Sequence, residues 1–95
     1  MGEPDSVWVF NGARSIFPSG VFKSKALAEE WIQKHSLTGT LTHYPLDVGM
    51  YEFAIETNRF SPKKPHHTTS EFIGQFRGGG LDHFHYEGGN AGAAG

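Results

Sequence analysis

The pattern of apolar and polar positions predicts one element most clearly, an amphipathic helix over residues 25–35. Apolar side chains recur there every three or four residues, which places them on one face of a helix. Ser24 directly precedes this stretch and is a favourable N-cap, because its hydroxyl can accept a hydrogen bond from a backbone N–H of the first turn. We therefore expect one face of this helix to cover part of a hydrophobic core.

The segment before this helix predicts a β-hairpin. Residues 7–10 are aromatic or β-branched, as is typical of a strand. Asn11 and Gly12 follow them and form a strong turn signal. A second strand is expected over residues 16–22, but Pro18 cannot donate a hydrogen bond to a neighbouring strand. This second strand should therefore lie at an edge of the sheet or carry a bulge.

Downstream of the first helix, the pattern predicts strands and a second helix. Alternation over residues 40–44 indicates a strand. A helix is expected over residues 48–57, after Asp47 as a suitable N-cap. Residues 71–77 (EFIGQFR) are interpreted as a short strand, and residues 81–87 (LDHFHYE) alternate in a way that indicates one more.

These elements predict a single domain of the α+β class. We expect an antiparallel sheet of three to five strands packed on two helices, in the order ββαβαβ with room for an extra C-terminal strand. Ninety-five residues suffice for one hydrophobic core. Residues 1–5 should form a loose leader, residues 6–87 the domain, and residues 88–95, which are only Gly, Ala and Asn, a disordered tail.

Composition and charge narrow the classes of function. The chain has no cysteine, which excludes disulfides, thiol nucleophiles and cysteine-based zinc sites. The formal net charge is −2, and no basic cluster exists beyond Lys63-Lys64, so nucleic acid is not an expected partner. No apolar run approaches the ~20 residues of a membrane-spanning helix. The first ten residues also lack the features of a secretory signal, and we expect a cytoplasmic protein without membrane contact.

The sequence contains no catalytic or cofactor-binding motif. It has neither a GxSxG nucleophile motif nor a phosphate-binding glycine loop before a helix. His43 with Asp47 is a candidate acid–base pair, because a carboxylate can fix the tautomer of an imidazole. The favoured role of Asp47 is nevertheless that of a helix cap. We therefore expect no cofactor and favour a non-enzymatic protein.

His83 and His85 are candidate metal ligands. Residues i and i+2 of a strand point to the same face, so their imidazoles are able to share a metal ion. A neighbouring acid or the His66-His67 pair would have to complete such a site. The competing interpretation is a polar strand face in contact with solvent. A metal-binding protein or metal-dependent hydrolase is accordingly the alternative function.

The aromatic content points to a surface for partners. Eight Phe, three Tyr and two Trp exceed what one side of a small sheet can bury. Aromatic side chains that remain exposed are typical anchors of protein interfaces, although coverage of both sheet faces would also account for them. We predict a small protein-interaction module of the accessory or immunity type that binds another protein or a second copy of itself. The predicted anchors are Phe17, Tyr44, Phe84 and Tyr86.

Several segments resemble a small bacterial α+β family of unknown function. The pattern GVFxSxxxAxxWI occupies residues 20–32, GTLTxYP residues 39–45 and YxFAI residues 51–55. The sequence HFHYE at residues 83–87 is similar to the same family. The resemblance extends over residues 7–87 and implies the fold described above. It implies no activity, cofactor or site, because the family has no established biochemistry.

Overall fold

A computed structural model of the chain describes residues 5–77 and 80–92. The chain, for which we expected one domain over residues 6–87, groups into two compact units. The first contains the described residues up to Leu46 together with those from Leu81 onward. The second is Asp47–Gly80. Each unit is described by itself.

The first unit is built on a five-stranded antiparallel sheet with the strand order β2-β1-β3-β4-β5. The sheet confirms the predicted α+β class, and β4 is the strand expected within residues 81–87. The short strand β2 forms one edge, as Pro18 before it indicated. The strands are β1 Ser6–Gly12, β2 Gly20–Phe22, β3 Gly39–Pro45, β4 His83–Glu87 and β5 Asn90–Ala91.

Helix α1, Lys25–Lys34, lies between β2 and β3 in the chain and packs on one face of this sheet. The Ser24 hydroxyl accepts a hydrogen bond from the Leu27 N–H at 3.1 Å, as predicted for the N-cap. The apolar stripe of α1 then meets the strands because strand residues alternate between the two faces. The resulting core consists of Phe10, Ala28, Ile32, Leu41 and Tyr86.

The second unit contains α2, Met50–Glu56, a 3-10 helix over Pro65–Thr68, and α3, Ser70–Gly74. Helix α2 confirms the second predicted helix, but its N-cap is Gly49 rather than Asp47. We expected both helices to pack on the sheet. Helix α1 does so, whereas α2 belongs to this second unit.

The short strand predicted over residues 71–77 is wrong, because this segment begins with α3. The Thr69 hydroxyl accepts a hydrogen bond from the Phe72 N–H at 3.2 Å and so starts the helix. Phe72 lies in α3 and Phe76 directly after its end, and both rings pack against Tyr51 with centroids 6.3 and 5.7 Å away. The helical turn of α3 and the residues directly after it therefore place both half-buried rings against one neighbour.

Residues 88–92, part of the expected disordered tail, form a turn and a short strand. Gly88 and Gly89 have φ of 57° and 89°, which allows a tight two-residue hairpin turn. Asn90 then pairs with Glu87 in the β4–β5 ladder. The remaining tail residues 93–95, and residues 1–4 of the expected leader, lie outside the described residues. Among the described residues, no helix is both long and apolar enough to cross a membrane.

Candidate interaction surface

The sheet has two outer strands, β2 and β5, and the outer side of β2 is the edge that carries exposed large apolar residues. Directly beyond the ladder between β1 and β3, the Leu46 N–H donates to the Asp5 carbonyl at 2.9 Å. Successive residues of an antiparallel strand direct their backbone N–H and C=O groups to opposite sides. Asp5 faces β3, so Phe10, an odd number of residues further along, directs its backbone groups toward β2. The Ser19 N–H accordingly donates to the Phe10 carbonyl at 2.9 Å. The same alternation holds along β2. The N–H and C=O of Val21 are on the side of β2 that does not pair with β1, and they therefore face away from the sheet.

Large apolar side chains cluster in sequence around this edge. Ile16 is 85% exposed, Phe17 is 74% exposed and Val21 is 62% exposed. These three residues are called the hairpin patch below. Ile16 and Phe17 belong to the loop that connects β1 to β2, and Val21 is the central residue of β2. The patch therefore joins exposed side chains to a strand whose backbone groups are unpaired on one side.

The loop that carries Phe17 is held by its own hydrogen bonds. The Ser15 N–H donates to the Gly12 carbonyl at 3.0 Å, and the Ser15 hydroxyl donates to the Phe17 carbonyl at 2.6 Å. The Phe17 N–H reaches the same hydroxyl at 3.3 Å. These bonds fix the backbone of the loop while its two largest apolar side chains stay in solvent. Phe17 is one of the anchors predicted from the sequence, whereas Ile16 and Val21 are not.

Of the other predicted anchors, Tyr86 is buried and Tyr44 and Phe84 are half-buried. The register aligns Tyr86 with Gly39, on the sheet face that α1 covers, and its hydroxyl donates to Glu29 at 2.6 Å. Burial, together with the hydrogen bond and the negative charge of Glu29, raises the pKa of Tyr86 well above its ordinary value. Tyr86 is thus a core residue with a satisfied hydroxyl. It offers no exposed ring to a partner.

Phe84 lies on the same face of the sheet as Tyr86, and its ring has a cation as its neighbour. The Lys25 ammonium stands 3.7 Å from the centre of the Phe84 ring. The same ammonium lies 3.9 Å from the Glu29 carboxylate. A cation over an aromatic face is attracted by the negative centre of the ring. Phe84 therefore helps to fix the start of α1 on the sheet.

His83 and His85 share the opposite, exposed face of β4, as the alternation predicts. Their ring centroids are 5.2 Å apart and their planes are perpendicular. His83 Nδ1 lies 3.1 Å from the Leu81 carbonyl, and His85 Nδ1 lies 3.3 Å from the Thr40 hydroxyl. Within residues 5–77 and 80–92, no group of three His, Asp or Glu is placed to hold a metal ion. The pair thus provides two imidazoles, whereas protein zinc sites use three or four protein ligands.

His43 has a partner that sequence analysis did not identify. Its Nε2 lies 2.5 Å from the Ser6 hydroxyl, and its ring stacks on Trp8 with centroids 4.1 Å apart. The predicted pairing with Asp47 is not among the hydrogen bonds of the described residues. A serine nucleophile needs its histidine oriented by a third group, and no described side chain hydrogen-bonds the other ring nitrogen of His43. The Ser6–His43 contact links β1 to β3.

In the second unit, His67 closes a turn through its ring. His67 Nδ1 accepts hydrogen bonds from the Lys63 and Lys64 N–H groups at 3.0 and 3.2 Å. The ring also packs against Phe60 and Phe72, with centroids 5.2 and 4.9 Å away. Partial burial, and then the positive charges of His66 and Lys64, lower the pKa of His67 from its ordinary value of 6.5. The neutral ring, with its proton on Nε2, is the form that this turn requires.

Acidification should open this turn. A proton on Nδ1 removes the acceptor for both lysine amides. Because the folded pKa lies below the unfolded value of 6.5, the unfolded chain binds more protons between the two. Stability is therefore complete above about pH 6.5 and declines as the pH falls through the folded pKa of His67. Amide chemical shifts of Lys63 and Lys64, followed by NMR against pH, should move with a midpoint below 6.5.

The matched control is His67→Asn, because the amide oxygen of Asn can accept in the place of Nδ1 without titrating. The two lysine amides should then keep their shifts across the same pH range. A His66→Asn variant should leave the titration in place and move its midpoint upward, since it removes one neighbouring positive charge. Titrating lysine amides in His67→Asn would contradict the assignment.

Comparison with known proteins yields a family and nothing more specific. One family model, for a domain of unknown function, matches residues 7–92, which includes the hairpin patch, most of the first unit and all of the second. The match confirms the expectation of a small family without assigned activity. No curated protein and no solved structure matches the chain.

Proposed function

The chain belongs to the DUF7710 family of domains of unknown function, and on that premise we propose that it is a protein-interaction module that docks its partner on the hairpin patch. One observation carries the proposal. Phe17 is 74% exposed on a loop whose backbone is already fixed by hydrogen bonds. A partner that covers this ring gains apolar burial without first having to order the loop.

The free energy available from burying the exposed side chains of the hairpin patch supports a role in binding. Full burial of one large apolar side chain is worth about 1.5–3 kcal/mol. Ile16, Phe17 and Val21 are among the most exposed large apolar residues of the described chain. Interfaces draw most of their affinity from a few such residues, while the surrounding contacts mainly exclude water. Three exposed side chains of this kind on one loop and the strand that follows it are sufficient for the centre of a small docking site.

Replacing Phe17 by Ser should weaken partner binding by about 10–30-fold, the effect of removing one interface anchor worth about 1.4–2 kcal/mol. The measurement is quantitative mass spectrometry of proteins captured from an extract of the source cells by the immobilised chain, followed by affinity determination on the protein recovered. The fold should be unaffected, because exposed substitutions usually change stability by no more than about 0.5 kcal/mol.

Leu27→Ser is the matched control, since Leu27 is 52% exposed but belongs to α1 and not to the hairpin patch. The same captured protein should be retained by wild type and by Leu27→Ser and be depleted by Phe17→Ser. Equal retention by all three chains would show that Phe17 anchors no partner.

A further inference from the structure

We propose that the partner docks by adding an extended strand, flanked by acidic residues, to the free edge of β2. This inference rests on the proposed function and specifies its partner. In strand addition, backbone hydrogen bonds provide affinity and side chains at alternate positions provide specificity. The edge of β2 has both features, because the N–H and C=O of Val21 face outward and its side chain is 62% exposed.

The charges of the residues around β2 indicate which kind of partner strand would bind there. Residues 6–28 contain Arg14, Lys23 and Lys25 and no Asp or Glu, although the whole chain has a net charge of −2. The Lys25 ammonium already contacts the Glu29 carboxylate and the Phe84 ring. Arg14 and Lys23 are exposed, and neither forms an ion pair within the described residues. Arg14 lies in the hairpin loop and Lys23 directly follows β2, so a docked strand would have an unpaired cation near it.

The same charges act against a second copy of the chain as the occupant. Pairing of β2 with β2 of another copy would place two Lys23 and two Arg14 side chains in one interface. Like charges brought together in an interface are unfavourable and reject wrong partners. A Lys beside an edge strand is also a common protection against self-association. An apolar strand with Asp or Glu at its ends instead gains from both cations.

The test is an NMR titration of the full ¹⁵N-labelled chain with a synthetic peptide of alternating Val and Thr that carries two acidic residues at each end. We expect the amide shifts to change at Val21 and Lys23 and not along α1. A peptide of the same sequence with lysines at its ends should bind at least about tenfold more weakly. An Arg14→Glu, Lys23→Glu double variant should reverse that preference, as expected for complementary charge.

A second peptide tests the backbone pairing separately. N-methylation of its central Val removes a hydrogen-bond donor and leaves the charges and the apolar side chains in place. We expect binding to fall by at least about tenfold. Equal binding of the methylated and unmethylated peptides, or shifts confined to α1, would overturn strand addition. So would a stable dimer of the free chain in light scattering that Val21→Pro dissociates, because the edge would then belong to a second copy.

The two proposals fail in distinguishable ways. If Phe17→Ser loses a captured protein while the acidic peptide does not bind β2, the interaction module stands and strand addition is wrong. If the peptide binds β2 with the expected charge preference, strand addition stands, and the sequence of the captured partner must contain such a segment. Retention of the same partner by Phe17→Ser, together with no peptide binding, would overturn both.

Discussion

Replacing Phe10 by Ala should lower the free energy of unfolding of the chain by about 3–5 kcal/mol. Phe10 is 1% exposed and its ring meets the edge of Trp31 at 5.7 Å between centroids. Leu41 lies opposite it in the register of β1 and β3. Loss of the ring removes apolar burial and leaves a cavity that the surrounding strands cannot close completely. Because small domains have only about 5–15 kcal/mol of stability, the variant should approach the limit of folding.

Denaturant unfolding followed by circular dichroism measures this effect, with Ile16→Ala as the control. Ile16 is 85% exposed, so its truncation should change the free energy of unfolding by no more than about 0.5 kcal/mol. The difference in unfolding free energy between the two variants distinguishes a core residue of β1, Phe10, from a residue of the hairpin patch in the loop that follows, Ile16. A mild Phe10→Ala would place the core elsewhere, and a severe Ile16→Ala would show that the hairpin patch is packed in solution.

The sequence predicted α1 well because several local signals agree there. The cap at Ser24, the apolar stripe and the two buried positions Ala28 and Ile32 all belong to one helix with one partner face. Agreement across such levels is what makes a local prediction reliable. Residues 71–77 lacked this agreement. Phe72 and Phe76 are four residues apart, which fits both a strand and a helix, and the deciding contact with Tyr51 is not visible in the local pattern.

The end of the chain shows a different limitation. A segment of Gly, Ala and Asn has no large side chain to bury, and this composition alone predicts disorder. Backbone pairing with β4 needs no large side chain, however, and Gly88-Gly89 is a recognised signal for a two-residue hairpin turn. This turn signal is present in the sequence. At Asn90 and Ala91 it predicts the structure better than the composition, which predicts disorder.

The candidate site was predicted in part. Pro18 indicated an edge strand and drew attention to Phe17, which is exposed as expected. Tyr86 was misjudged although the alternation that places His83 and His85 on one face necessarily places Tyr86 on the other. Sequence alone could not tell which face α1 covers. That choice depends on the register of β4 against β3, which is a long-range property of the fold.

Gly39→Ala should destabilise the chain by about 1–3 kcal/mol, the usual cost of forcing a methyl group into a packed site. Gly39 lies opposite Gly12 where β3 begins beside the end of β1. A Cβ at Gly39 would stand 2.7 Å from the Phe10 ring and 2.9 Å from the Gly12 Cα, and it would also collide with the Asn11 carbonyl. Two of these three neighbours are backbone atoms, so relief requires a shift of the β1–β3 ladder itself.

Gly74→Ala is the matched control for this prediction, because a Cβ there meets nothing within 4 Å and Gly74 ends α3. Ala favours a helix over Gly by up to about 1 kcal/mol, so this variant should be neutral or slightly more stable. Both free energies come from the same denaturant experiment, and amide hydrogen exchange along β3 should accelerate in Gly39→Ala alone. If the two alanine variants were equally mild, β1 and β3 would have to approach less closely at Gly39 than the structure places them.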